Sequence, residues 1–96
     1  MKAPLHITAV GDISFQGRLA DTPVPDLLAL VQQQFTERGL VIGNLECVLS
    51  DEEVGIPGKC TLRGSPGWGA MLRSAGLGAV TLANNHIMDF GPQGLE

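Results

Sequence analysis

Residues 79–91, AVTLANNHIMDFG, constrain this chain more than any other stretch. An apolar, β-branched run from Ala79 to Ala83 ends abruptly in Asn84, Asn85 and His86, followed by Asp89 and Gly91. A buried strand does not need four such side chains merely to turn a corner. In open α/β sheets, ligands and chemistry collect at the carboxyl ends of parallel strands. Amide, imidazole and carboxylate groups together make a hard oxygen and nitrogen donor set, suited to Mg, Mn, Zn or non-haem Fe. The stretch reads as a strand delivering part of an active site.

Two earlier segments repeat the design. Leu5 to Val10 is a short apolar run, broken by His6 and Thr8, that ends in Gly11-Asp12. Leu40 to Ile42 leads into Gly43-Asn44-Leu45-Glu46. Each time a strand-like run meets glycine, which permits tight turns and close backbone approach, and then a polar group able to bind a cation. The weight lies in the repetition.

Between these strands the pattern turns helical. Asp26 to Arg38 carries Leu27, Leu28, Leu30, Val31 and Phe35 mostly at helical spacing, after Pro23 and Pro25, with Gly39 placed as a C-cap. Leu40 to Leu45 reads as the next strand. Asp51 to Gly58 is acidic and contains glycine and proline, as exposed loops do. Ser65-Pro66 resembles an N-cap followed by proline at the first helical position, and Trp68, Met71 and Leu72 would face inward before the helix ends near Ala75-Gly76. The strand Ala79 to Ala83 follows, and a further helix starts at Pro92. The order β-α-β-α-β predicts an α/β fold with a parallel sheet and right-handed crossovers. Three strands and two covering helices leave much of a parallel sheet open, so the chain reads as the N-terminal part of a longer protein.

Composition narrows the partners. With 96 residues, 44% hydrophobic and 17% charged, the chain fits at most one globular domain. A net charge of −4 and the absence of any Lys/Arg cluster argue against a nucleic-acid surface. No apolar stretch approaches the length of a membrane span. Lys2 is the only early basic residue, and the run Leu5 to Val10 is too short for a signal-peptide core. Localisation stays open. Cys47 and Cys60 have neither CxxC spacing nor a partner pair for zinc. They read as two unpaired thiols, Cys47 partly buried beside the site.

Gly11-Asp12-Ile13, Asn44-Leu45-Glu46 and Leu82-Ala83-Asn84-Asn85-His86-Ile87-Met88-Asp89-Phe90-Gly91, in that order, resemble the bacterial CapA (PgsA) family. This capsule synthesis or poly-γ-glutamate biosynthesis family belongs to the calcineurin-like metallophosphoesterase superfamily. The resemblance runs over essentially all 96 residues. It implies that residues 1–96 form the N-terminal part of a single metallophosphatase-like domain, a four-layer α/β sandwich, with a centre of two divalent metal ions (Mn, Zn, Fe or Mg). By that likeness Asp12, Glu46 and Asn85 would be metal ligands, His86 would stabilise or protonate the departing oxygen, and Asn44, Asn84 and Asp89 would support them. The Asp-x-His opening common among metallophosphatases is absent, since Ile13 and Ser14 follow Asp12. The His-Gly-Glu-like and Gly-His-x-Pro-His-like blocks of the family pattern are missing too.

Plainer readings stand beside these. Asp12 could simply form a turn. Glu46 at an apolar strand end is harder to explain so, because a buried carboxylate is costly without a partner. Asn84 and Asn85 could be turn formers, but His86 beside them tips the balance to function. Asp89 fits a cap for the helix at Pro92, His6 reads as a structural mid-strand residue, and Asp51-Glu52-Glu53 as a solvated loop. Two functions compete. One is a metal-dependent hydrolase or transferase acting on a phosphoester or γ-glutamyl-type bond of an anionic polymer. The other is a non-catalytic subunit of a membrane complex for polymer synthesis and export, its site vestigial.

Overall fold

The structure, a computed structural model, describes residues 4–15, 17–21, 28–35 and 39–96. In chain order its elements are β1 (Ile7–Ile13), α1 (Arg18–Asp21), α2 (Ala29–Gln32), β2 (Leu40–Leu45), β3 (Val48–Leu49), β4 (Arg63–Gly64), α3 (Gly67–Ser74), β5 (Ala79–Thr81) and α4 (Gly91–Leu95). Strands β1, β2 and β5 form a parallel sheet in the order β1-β2-β5, and β3 pairs with β4, also parallel, in a second small sheet. The mixed α/β fold and parallel pairing expected from the sequence are present.

Register places the chemistry. Asp12 lies opposite Asn44 on β2, and Asn44 lies opposite Thr81 on β5, so the three occupy one row near the carboxyl ends of the strands. Ala9 pairs with Ile42 and Asp12 with Asn44, so two residues on β1, Val10 and Gly11, face one on β2, Gly43. This bulge decides which side chain meets Asn44, because a bulge re-aims the residues beyond it. Without the extra residue Gly11 would stand opposite Asn44, and the carboxylate would be displaced by one position.

Gly43 accommodates that irregularity. A Cβ there would come within 2.7 Å of both Val10 Cγ2, in the bulge, and Ile13 Cδ1, beyond it. Gly11 is different: a Cβ there would meet nothing within 4 Å. The close approach expected at both Gly-polar steps exists only at the second. The first strand also does not end at Val10; it runs through Gly11-Asp12 to Ile13, because the bulge lets pairing resume beyond it.

One face of the sheet is covered. β2 alternates, burying Val41, Gly43 and Leu45. Below it Phe15, Leu45, Cys47, Leu62, Trp68 and Leu72 form the core, joined by half-buried Ile13, Leu28, Leu49, Met71 and Leu77. Trp68 and Leu72 are one helical turn apart on α3 and so point the same way, as their spacing predicts. Phe15 stacks on Trp68 with ring centroids 3.8 Å apart and planes 7° from parallel. The indole Nε1–H donates to the Leu19 carbonyl at 2.6 Å, so the most buried aromatic keeps its polar atom satisfied.

Several boundaries differ from expectation. Within the span 26–38, whose residues 26–27 and 36–38 lie outside the described ones, the helix covers only Ala29–Gln32 and gives way to turns at 33–34. Its C-cap is Gln33, and Gly39 instead leads into β2, where a Cβ would strike the His6 carbonyl oxygen. His6 itself is exposed and precedes β1, accepting from the Leu40 N–H through its carbonyl, so it is not a mid-strand residue. α3 starts at Gly67, with the Ser65 hydroxyl accepting from the Gly67 N–H at 3.3 Å. β5 stops at Thr81, two residues short; it lies at the edge of the sheet, and all three of its residues are exposed. Among the described residues no helix is long and apolar enough to cross a membrane.

Candidate functional site

The row Asp12, Asn44, Thr81 is held by a chain of side-chain hydrogen bonds. Asn44 Nδ2 donates to Asp12 Oδ1 at 2.9 Å. Asn44 Oδ1 accepts from the Thr81 hydroxyl at 3.1 Å and from Asn84 Nδ2 at 3.0 Å. Two donors on its oxygen fix the Asn44 amide so that its nitrogen must face the carboxylate. Asn84 ties the loop after β5 back to β2: Nδ2 also reaches the Leu45 carbonyl at 3.0 Å, and its Oδ1 accepts from the His86 N–H at 3.0 Å. Asn84 is therefore both turn former and site member, with its amide closing an Asx-type turn into His86.

His86 sits between two carboxylates. Its Nδ1 lies 2.6 Å from Asp89 Oδ2, and its Nε2 lies 3.9 Å from Glu46 Oε1, beyond hydrogen-bond range. The imidazole is 13% exposed and the Glu46 side chain 26%. Glu46 follows β2 directly and is anchored by its N–H donating to the Ile13 carbonyl at 2.9 Å. An ionised carboxylate only accepts, so Nδ1 carries the hydrogen and Nε2 is the ring atom left for proton exchange.

Asp89 does not cap the last helix. The N-cap of α4 is Phe90, with no side-chain cap bond, and Asp89 is fully buried. Its carboxylate points inward because stronger donors wait there. The Leu62 N–H reaches Oδ2 at 2.8 Å, the Lys59 ammonium reaches Oδ1 at 2.5 Å, and His86 completes the set. Burial pushes the Asp89 carboxyl up, but the Lys59, Leu62 and His86 donors outweigh it and hold the group below the usual carboxylate range. Lys59 also donates to the Asn85 carbonyl, and the Ile56 N–H donates to the Asp89 carbonyl at 2.8 Å.

All seven residues singled out from the sequence thus lie on or just beyond the carboxyl ends of β1, β2 and β5. Asp12, Asn44 and Asn84 form one hydrogen-bonded unit and His86 and Asp89 another, joined by the Asn84–His86 turn, with the Glu46 carboxylate 3.9 Å from His86 Nε2. Asn85 is exposed, and what fixes it is its main-chain carbonyl on Lys59. Lys59 and Thr81 belong to the site and escaped the sequence reading. Thr81 could have been found by running the strand register forward. Lys59 carries no local signal, since it sits in an irregular stretch 26 residues from its nearer partner. Cys47 and Cys60 are both free, Cys47 buried and Cys60 exposed, and burial pushes the Cys47 thiol up.

The donor chemistry suits a hard divalent cation: Asp12, Glu46 and Asn85 offer oxygens from three successive strand ends. Among the described residues no three His, Cys, Asp or Glu side chains come together as a metal cluster.

A parallel α/β sheet with carboxylate, amide and imidazole groups at its carboxyl edge defines the class. The chain belongs to the family of bacterial capsule synthesis proteins described as PGA_cap, whose family model matches residues 6–96. No curated protein matches the chain.

Proposed function

We propose that this capsule synthesis protein contributes a metal-dependent, phosphoesterase-like hydrolase site to the synthesis or processing of an anionic capsule polymer of the poly-γ-glutamate type. The observation that carries the reading is the His86 imidazole. It is clamped on buried Asp89 by Nδ1, with Nε2 turned toward Glu46 beside the Asp12–Asn44 row.

Asp89 holds the Nδ1–H, so Nε2 is the ring nitrogen left to take up a proton and pass it to a departing oxygen. Asn44 and Asn84 hold Asp12 and the His86 loop in a single frame, which keeps the proton donor and the carboxylates in register. Asp12, Glu46 and Asn85 would hold divalent cations. When bound, such ions stabilise negative charge developing on the substrate oxygens. Two ions need more ligands than these three side chains offer.

The test combines cation uptake with turnover. Calorimetric titration of the 96 residues with Mn²⁺ or Zn²⁺ should show weak binding, because Asp12, Glu46 and Asn85 alone offer few ligands, and a complete ligand set should bind tightly. With the complete set, a chromogenic phosphodiester should be hydrolysed, and His86→Asn should abolish that hydrolysis while leaving the circular dichroism spectrum unchanged. Undiminished turnover in His86→Asn would sink the assignment. The second reading, a non-catalytic subunit of a polymer export complex, is favoured by the missing three-group cluster among the described residues. It would be supported if the full ligand set bound cations without turnover.

A further inference from the structure

The stretch 56–62 docks on the site loop almost entirely through one residue. Asp89 receives the Ile56 N–H on its carbonyl, the Leu62 N–H on Oδ2 and the Lys59 ammonium on Oδ1. Lys59 is the only one of these donors that also reaches the segment carrying His86, through the Asn85 carbonyl. Its side chain is 31% exposed, whereas Asp89 is fully buried, so the ammonium enters the interior from the surface.

We infer that Lys59 is a positioning residue for His86. It occupies Asp89 Oδ1 while Oδ2 faces the Leu62 N–H and His86 Nδ1, and it pins the peptide between Asn85 and His86. One cation thus sets both the partner of the imidazole and the backbone from which the imidazole projects. Partners that orient a functional histidine from behind are a general device, and losing one lowers activity by about 10–100-fold. Without Lys59, Oδ1 would lie buried with no charged partner, and the carboxylate would rotate or draw in water to satisfy it. Either change releases His86. The identity of Lys59 as positioning rather than catalytic follows from its partners: its ammonium bonds Asp89 Oδ1 and the Asn85 carbonyl, while His86 Nδ1 takes the other carboxylate oxygen, Oδ2.

This inference rests on His86 being the group that exchanges protons, but it can be tested without turnover. In ¹⁵N-histidine-labelled protein free of metal, the His86 Nδ1–H should give a downfield, slowly exchanging resonance. Lys59→Met should abolish that resonance and shift the Asn85 and His86 amide signals, while the amide signals of β1, β2 and α3 stay in place. If Lys59→Met does not fold, Lys59→Gln keeps a donor for Oδ1 without the charge, and its Nδ1–H resonance should broaden or move. Lys59→Arg, which keeps the cation, should restore the resonance at least in part. An unchanged Nδ1–H resonance in Lys59→Met, or in Lys59→Gln where only that variant folds, overturns the inference. Where turnover is measurable, Lys59→Met should lower kcat about 10–100-fold with KM little changed. A catalytically inert wild type would refute the hydrolase reading and leave the resonance test standing.

Discussion

Among the described residues Trp68 and Asp89 are the largest side chains that the fold buries completely, and they are buried for opposite reasons. Trp68 leaves water because its ring surface gains by it: Phe15 stacks on one face, and Leu45, Leu62 and Leu72 belong to the same cluster. Its single polar atom needs one acceptor and finds it in the Leu19 carbonyl. Asp89 gains nothing from leaving water. It is buried because Lys59, Leu62 and His86 replace its hydration, so that its charge survives inside. The apolar centre tolerates approximate partners, whereas the polar centre depends on each of its donors. The two lie side by side: Leu62 packs its side chain into the Trp68 cluster and gives its N–H to Asp89.

The comparison can be broken first at its apolar end. Trp68→Ala should cost about 3–5 kcal/mol, the range for deleting a large buried aromatic. That is a large share of the about 5–15 kcal/mol that holds a domain together, so urea denaturation should find the variant largely unfolded or close to it. Trp68→Phe, which keeps most of the area and loses the donor to Leu19, should cost much less. Equal losses for the two would show that the hydrogen bond, not the ring, dominates.

Asp89→Asn tests the polar end. The amide is nearly isosteric but presents a donor where Lys59 or His86 also donates, leaving one buried group unmatched. A loss of about 1–3 kcal/mol is expected, measured by the same denaturation. A neutral or stabilising result would mean that the buried charge is not needed for the local fold.

The pH dependence separates the regions further. The Asp89 carboxyl is held below its unfolded value of about 4, so its contribution is fully present above that value and is lost as pH falls through the lower, folded one. Wild type should therefore lose stability below about pH 4 more steeply than Asp89→Asn. Trp68→Phe should keep the wild-type slope, since no carboxylate belongs to that cluster and the Cys47 thiol, raised by burial, stays protonated in this range. Parallel curves for wild type and Asp89→Asn would contradict the account.

The smallest effect is expected at Thr81. Its hydroxyl is one of two donors on the Asn44 oxygen and is exposed, so Thr81→Val should change stability by no more than about 0.5 kcal/mol. Its signature should be local: the Asn44 side-chain amide resonances should shift, because the remaining Asn84 donor no longer fixes the amide as firmly. If those resonances stay put, Asn84 alone orients Asn44.

How much of this could be read in the sequence follows from the range of each force. Alternation and helical spacing are local, so β2, the inward face of α3 and the parallel order of the sheet were legible. Trp68, Met71 and Leu72 declared themselves by spacing alone. The ends of β1 and β5 and the extent of α2 were not, because pairing across a bulge and packing against a neighbour override local preference. Asp89 shows the limit most clearly. Three residues before Pro92 it carries the pattern of a helix cap, and only the approach of Lys59 and Leu62, 30 and 27 residues away, turns it inward.

The sequence by itself determined which groups gather at the carboxyl edge of the sheet, because Asp12, Asn44, Glu46, Asn84, Asn85, His86 and Asp89 each stand at or just beyond the end of a strand-forming run. Tertiary structure alone decided their partners. The one-residue bulge in β1 chose Asp12 over Gly11 to face Asn44, and Lys59, from a stretch without regular structure, turned Asp89 from cap to anchor for His86. The reason is physical: an apolar period is written along the chain, whereas a buried charge can be satisfied only by donors that the fold brings from elsewhere.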